Sequence, residues 1–130
     1  MIRSTVAHVD LDALRDNFLA VREFVEGNSR KPSSHLVAVV KANAYGHGAA
    51  QVALALQNAG AIMLACADIE EGVALRQAGV TVPILVFGAL SVSDLDGLFE
   101  YSLTPTISSP AAAKAVQSAA LRLQVVIGYH

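Results

Sequence analysis

The stretch "LVAVVKANAYGHGAA", Leu36 to Ala50, decides how the rest of the chain is read. Five apolar residues, three of them valine, form a run with no polar side. β-Branched residues favour extended backbone, and a short apolar run bounded by turn residues reads as a strand buried on both faces. The run ends abruptly at Lys41, and a loop holding Asn43, Tyr45, His47 and glycines at 46 and 48 comes next. A lysine at a strand end beneath a glycine-bearing loop is either a solvated residue closing the strand or a reactive amine. The residues around it keep both readings open.

Working outward, two periodicities alternate. Before the stretch, "TVAHV" is a short extended candidate. In "LDALRDNFLAVREFVEG", Leu11, Leu14, Phe18, Val21 and Val25 recur at helical spacing, with Asp10 or Asp12 as cap and Gly27 as stop. After it, Ala49, Val52, Ala53 and Leu56 share a helical face and Gly60 closes the helix. "IMLACA" reads as the next strand. Asp68 with Glu71 three residues on has the form of a capping box for a helix reaching Gly79. "PILVFG" is another strand, Ser91 or Ser93 opens a short helix, and "LTPTIS" is a weaker strand. Pro105 cannot donate to a ladder, so that strand is short, an edge, or begins at the proline. Ser109–Pro110 is a cap and first-turn pair for "AAAKAVQSAALR", and "LQVVIG" ends the pattern.

The strand starts fall near residues 36, 61, 84, 103 and 123. Continuous apolar strands alternating with helices predict a parallel sheet covered on both faces. Two α/β architectures satisfy about five βα units. One is a complete doubly wound sheet of the flavodoxin type. The other is the N-terminal part of a (β/α)8 barrel, a fold that typically needs ~250 residues.

Composition limits what such a domain does. Charged residues make up 15% of the 130, and hydrophobic ones 54%. That is sparse beside the roughly 25% charge of average soluble proteins, and it implies elements buried on several sides or covered by a partner. A net charge of −2 leaves no electrostatic footprint for nucleic acid or anionic membrane. A single cysteine, Cys66, forms no internal disulfide, and Asp10 and Asp12 fall too early to allow a signal-peptide core. No run approaches the ~18 apolar residues of a membrane span. A cytoplasmic location is expected.

In both architectures reactive groups gather at the carboxyl ends of the strands. A strand-end lysine becomes an imine-forming nucleophile when burial or a neighbouring positive charge lowers its pKa from ~10.4. A phenol four residues on, at Tyr45, can reach the same opening and donate to a phosphate. Glycines at 46 and 48 let backbone approach a ligand closely. Tyr45 also fits a core-rim aromatic, and His47 an ordinary loop histidine. No glycine-rich phosphate motif competes with this cluster, and no metal site is expected.

"AVVKANAYGHG", Ala38 to Gly48, resembles the pyridoxal-phosphate attachment motif of the alanine racemases nearly residue for residue. "HVDLDALRDNF", "ACADIEEGVALRQAG", "PILVFGAL" and "LTPTISS" resemble the flanking units of that family in order and spacing, to about residue 118. The resemblance implies the N-terminal portion of the family's barrel domain across residues 1–130, and it sets the doubly wound alternative second. It implies pyridoxal 5'-phosphate as cofactor, held by Lys41 as an internal Schiff base, with Lys41 also the catalytic base on the D-alanine side. It implies Tyr45 on the cofactor phosphate and Val39 and Leu85 near the cofactor. The implied activity is interconversion of L- and D-alanine, which supplies peptidoglycan, by a homodimer whose partner subunit provides the second, tyrosine base.

The likeness fails near the end. Where the family continues after its fifth strand with Asp, Thr, Gly, Met and Arg, Leu123–His130 reads "LQVVIGYH". Tyr45, Tyr101 and Tyr129 do not match the second base, and the β-rich second domain is absent. A fragment of a racemase, inactive alone, is therefore expected. The alternative is a truncated, non-catalytic remnant that binds the cofactor.

Overall fold

The structure, a computed structural model, describes residues 5–27, 35–88 and 95–125. Helix α1 (Leu11–Gly27) starts where Asp10 Oδ1 accepts the backbone N–H groups of Asp12 (3.0 Å) and Ala13 (2.9 Å). These are donors the first turn leaves without intrahelical partners. Leu11, Leu14 and Phe18 pack against the core, while Val21, expected on the same face, is 52% exposed. Arg22 lies 5.7 Å over the Phe18 ring and donates to Ala59 O, which fastens α1 to the end of a later helix. The extended candidate "TVAHV" is not a strand: residues 5–9 are exposed and carry no regular structure.

Among the described residues, four short strands come after α1: β1 (Ala38–Val39), β2 (Leu64–Cys66), β3 (Ile84–Val86) and β4 (Thr104–Pro105). They are parallel and lie in the order β1-β2-β3-β4, with Ala38 opposite Leu64 opposite Ile84, and Val39 opposite Ala65 opposite Leu85 opposite Thr104. A flavodoxin-type sheet places β1 between β2 and β3. Unbroken sequential order is what successive right-handed βα units of a barrel produce, so the doubly wound alternative falls. Pro105 sits in the outermost described strand, and Thr106 N supplies the bond to Val86 O that the proline cannot.

Between β1 and β2 the chain makes α2 (Lys41–Tyr45), a single turn, and α3 (Ala49–Asn58). Helix α4 (Ile69–Gln77) links β2 to β3, α5 (Asp96–Glu100) precedes β4, and α6 (Pro110–Arg122) succeeds it. Val52 and Leu56 of α3, Ile69 and Leu75 of α4, and Val116 of α6 meet Val40, Leu64, Cys66, Ile84 and Val86 in one buried cluster. Each such aliphatic side chain contributes roughly 1.5–3 kcal/mol on burial. Side chains alternate across a strand, so the opposite face carries Val39, Leu85 and Thr104. No described helix covers it, and only the small Ala65 between Val39 and Leu85 is fully buried there. The described sheet is thus open, with helices packed on one face and no described helix on the other.

The amino-terminal edge of the sheet is tied by side chains. Arg76 donates to Val80 O (2.9 Å), Val82 O (2.7 Å), Tyr101 O (3.0 Å) and Ser102 O (3.1 Å). Burial pulls the Arg76 pKa down, yet a guanidinium keeps its charge. Gln57 Oε1 accepts from Thr81 N and Val82 N. Together they fix the loops entering β3 and β4. Ser109 Oγ caps α6 by accepting from Ala112 N, with Pro110 in the first turn as the sequence predicts. The fifth strand expected in "LQVVIG" is not found in its described part: Leu123 and Gln124 form a turn, with Gln124 at φ 56°, and Val125 carries no regular structure. Its remaining residues, and the helix start at Ser91 or Ser93, lie outside the described residues.

Candidate active site at the carboxyl edge

Lys41 leaves β1 at the carboxyl edge of the sheet, directly after Val40, whose N–H makes the last ladder bond to Ala65 O at 2.8 Å. The lysine is exposed. The backbone beyond it is unusual. Ala42, Asn43, Ala44 and Tyr45 all have φ between 50° and 55°, a turn of left-handed helix. Such a conformation costs roughly 1–2 kcal/mol per L-residue, and runs of it are rare. Surrounding structure has to hold it.

The restraints are visible at both ends. At the front, Glu71 Oε1 accepts from Ala42 N at 2.7 Å, while Oε2 accepts from Ala67 N at 2.8 Å. At the back, Asn43 Oδ1 accepts from Ala49 N at 2.8 Å and so caps α3. Within the turn, Ala44 N reaches Val40 O, Gly48 N reaches Asn43 O, and His47 Nδ1 lies 3.0 Å from Ala44 O. The buried Ala44 methyl anchors the turn against the core. His47 is accordingly a local tie.

Gly46 and Gly48 have φ of 83° and 91°, so both positions need glycine for their backbone conformation. A side chain at Gly46 would meet nothing within 4 Å, so that glycine makes no close approach to another described residue. Tyr45 ends the turn, 60% exposed. Val39 and Leu85 stand in one row of the open face on either side of Ala65, both half-buried. Lys41 and Tyr45 thus share the carboxyl rim, and Val39 and Leu85 form an apolar floor on the open face leading to it. A hollow lined by Arg76, Thr81, Glu100 and Tyr101 lies at the opposite edge of the sheet.

Cys66 ends β2 beside this rim, fully buried, its Sγ 3.3 Å from Asp68 O. Burial, then the negative charges of Glu71 and Asp68, push its thiol up to about 12. It is a packed, protonated residue. Among the described residues no cluster of three or more His, Cys, Asp or Glu could hold a metal, and no helix is long and apolar enough to cross a membrane.

A model of the alanine racemase N-terminal domain matches residues 9–130. The chain belongs to the alanine racemase family. It is 41% identical over 128 residues to the alanine racemase of Halothermothrix orenii, covering 98% of this chain and 32% of that protein. The Carboxydothermus hydrogenoformans enzyme is 38% identical over 129 residues, which span 99% of this chain and 33% of its own. Among solved structures, alanine racemase from Clostridium difficile 630 superposes with a TM-score of 0.79 at 32% identity, covering 88% of this chain and 29% of that one. The Streptomyces coelicolor enzyme gives 0.79 at 37% identity, covering 90% and 30%. The open sheet is therefore the amino-terminal part of a racemase barrel, and the chain spans about a third of the curated relatives it matches.

Two residues of the rim escaped the sequence. Glu71 reads as half of a capping box, and Asp68 Oδ1 does cap α4 by accepting from Glu71 N at 2.8 Å. The reciprocal bond is missing because the Glu71 carboxylate turns to Ala42 and Ala67. Nothing in spacing announces a contact across 29 residues. Asn43 had a signal: asparagine tolerates left-handed backbone better than most residues.

Proposed function

We propose that this chain is the cofactor-bearing amino-terminal part of an alanine racemase, with Lys41 as its attachment and catalytic residue. The observation that carries the reading is an exposed primary amine at the carboxyl end of a barrel strand, held at the start of a strained, pinned turn. The donor set fits pyridoxal 5'-phosphate: an amine for its aldehyde, the Tyr45 phenol for its phosphate, and Val39 and Leu85 for its apolar ring edge. When bound, that group supplies an electron sink that stabilises the carbanion formed when an amino acid loses its α-proton.

The chain's residues do the rest. Lys41 Nζ would hold the cofactor and, with substrate in the site, would take or return the α-proton on the D-alanine face. The Tyr45 hydroxyl would donate to the phosphate. Val39 and Leu85 keep water from the inner side. A second acid–base group is required on the opposite face, and none of the described tyrosines besides Tyr45 stands on this rim: Tyr101 lies at the amino-terminal edge, before β4. The full enzyme is a cytoplasmic homodimer that draws this group from its partner subunit.

A preparation of these 130 residues alone is expected to form no D-alanine with added pyridoxal phosphate. It should still develop the near-visible absorbance of a lysine-bound cofactor, and Lys41→Ala should abolish that absorbance. Equal absorbance in both chains would refute the assignment of Lys41.

A further inference from the structure

We infer that Glu71 is a positioning residue for Lys41, its one carboxylate bridging the carboxyl ends of β1 and β2. This rests on Lys41 being the attachment residue. The N–H that Oε1 accepts belongs to the Lys41–Ala42 peptide, so the bond holds the backbone unit on which the lysine is mounted. The N–H that Oε2 accepts belongs to Ala67, the first residue after β2. Strand β1 is two residues long, and its ladder ends one residue before the lysine. Beyond Val40, no described ladder bond restrains the Lys41 Cα. Immediately afterwards the chain enters four left-handed residues, none of them glycine. Relaxation of that turn into ordinary backbone would swing the Lys41 amine away from the rim.

Chemistry explains why a carboxylate does this. An ionised carboxylate accepts two N–H groups at once, and bonds from N–H to a charged acceptor are the stronger kind. A glutamine offers one oxygen and one NH2, so it satisfies one strand end and opposes the other donor to donor. Helix-dipole stabilisation does not account for the arrangement. Glu70 occupies the same first turn of α4, is exposed, and makes no bond to either strand end.

The test compares wild type, Glu71→Gln and Glu70→Gln in the full-length protein. The rate of pyridoxal phosphate capture is read by borohydride quench and peptide mapping, alongside circular dichroism. Capture at Lys41 should slow about tenfold in Glu71→Gln, the scale of losing a hydrogen bond to a charged group. It should be unchanged in Glu70→Gln. Wild-type capture rates in a natively folded Glu71→Gln would overturn the inference while leaving Lys41 as the attachment point. Capture at another residue in wild type would overturn the Lys41 reading, and this inference with it. Should Glu71→Gln fail to fold, amide exchange in cofactor-free wild type decides: Ala42 should be protected, and exchange at an exposed-loop rate would overturn the clamp.

Discussion

Replacing Asn43 with alanine isolates what holds the strained turn to the rest of the barrel. The Asn43 side chain does two things: its Oδ1 accepts the first N–H of α3 at 2.8 Å, and its residue type tolerates φ 55°. Losing a cap of this kind costs about 1 kcal/mol. Placing alanine in left-handed backbone adds about another 1 kcal/mol, giving ~2 kcal/mol in all. With a urea m-value of about 2 kcal/mol per molar, the unfolding midpoint should fall by about 1 M. Asn43→Asp keeps an acceptor at the positive end of the helix and should stay within about 0.5 kcal/mol of wild type. Asn43→Gly restores backbone freedom without the acceptor and should fall between. Urea titration monitored by far-UV circular dichroism measures the series. An alanine variant as stable as wild type, or an aspartate variant as damaged as alanine, would refute the claim that this side chain pins the turn.

The same edge yields further outcomes at Gly88, Gly46 and Cys66. At Gly88 an added Cβ would stand 2.1 Å from Ala67 O, the carbonyl that its own N–H meets at 2.8 Å. Gly88→Ala must push backbone apart and break that bond, so a loss of about 3 kcal/mol is expected in thermal or urea unfolding. Gly46→Ala has open space and pays only for its φ of 83°, so it should lose about 1 kcal/mol; equal losses at the two sites would contradict this. The Cys66 thiol stays protonated in the folded chain to about 12, whereas in the unfolded chain it ionises near its ordinary value of 9.0. The unfolded state therefore binds fewer protons across that window, and stability should fall as pH rises from about 9 toward 12. Cys66→Ala should remove that loss, and iodoacetamide at pH near 8 should label Cys66 far more slowly in native protein than in denaturant.

Much of the scaffold was legible because it depends on local chemistry. Asp10, Asp68 and Ser109 cap the helices they precede, and Ser109–Pro110 marks the start of α6. Gly60 and Gly79, at φ 95° and 100°, stop α3 and α4 where left-handed backbone is needed. Sequential strand order was not legible, since apolar runs specify burial and leave neighbours undecided; registering Val39 with Ala65 and Leu85 required the folded sheet. Val21 continues the helical stripe of α1 yet is exposed, because α1 packs on the core through Leu11, Leu14 and Phe18. The left-handed turn had little signature, for alanine and tyrosine are poor occupants of positive φ. Its restraint by Glu71 depends on tertiary placement.

The chemistry proposed for this chain depends on a single amine, and reduction of the full-length protein with borohydride in the presence of pyridoxal phosphate, with peptide mapping of the product, tests it most directly. The reduced cofactor should be found on the peptide containing Lys41, and Lys41→Ala should take up none. Stable label on Lys114, or on any lysine outside this chain, with Lys41 unmodified, would contradict it.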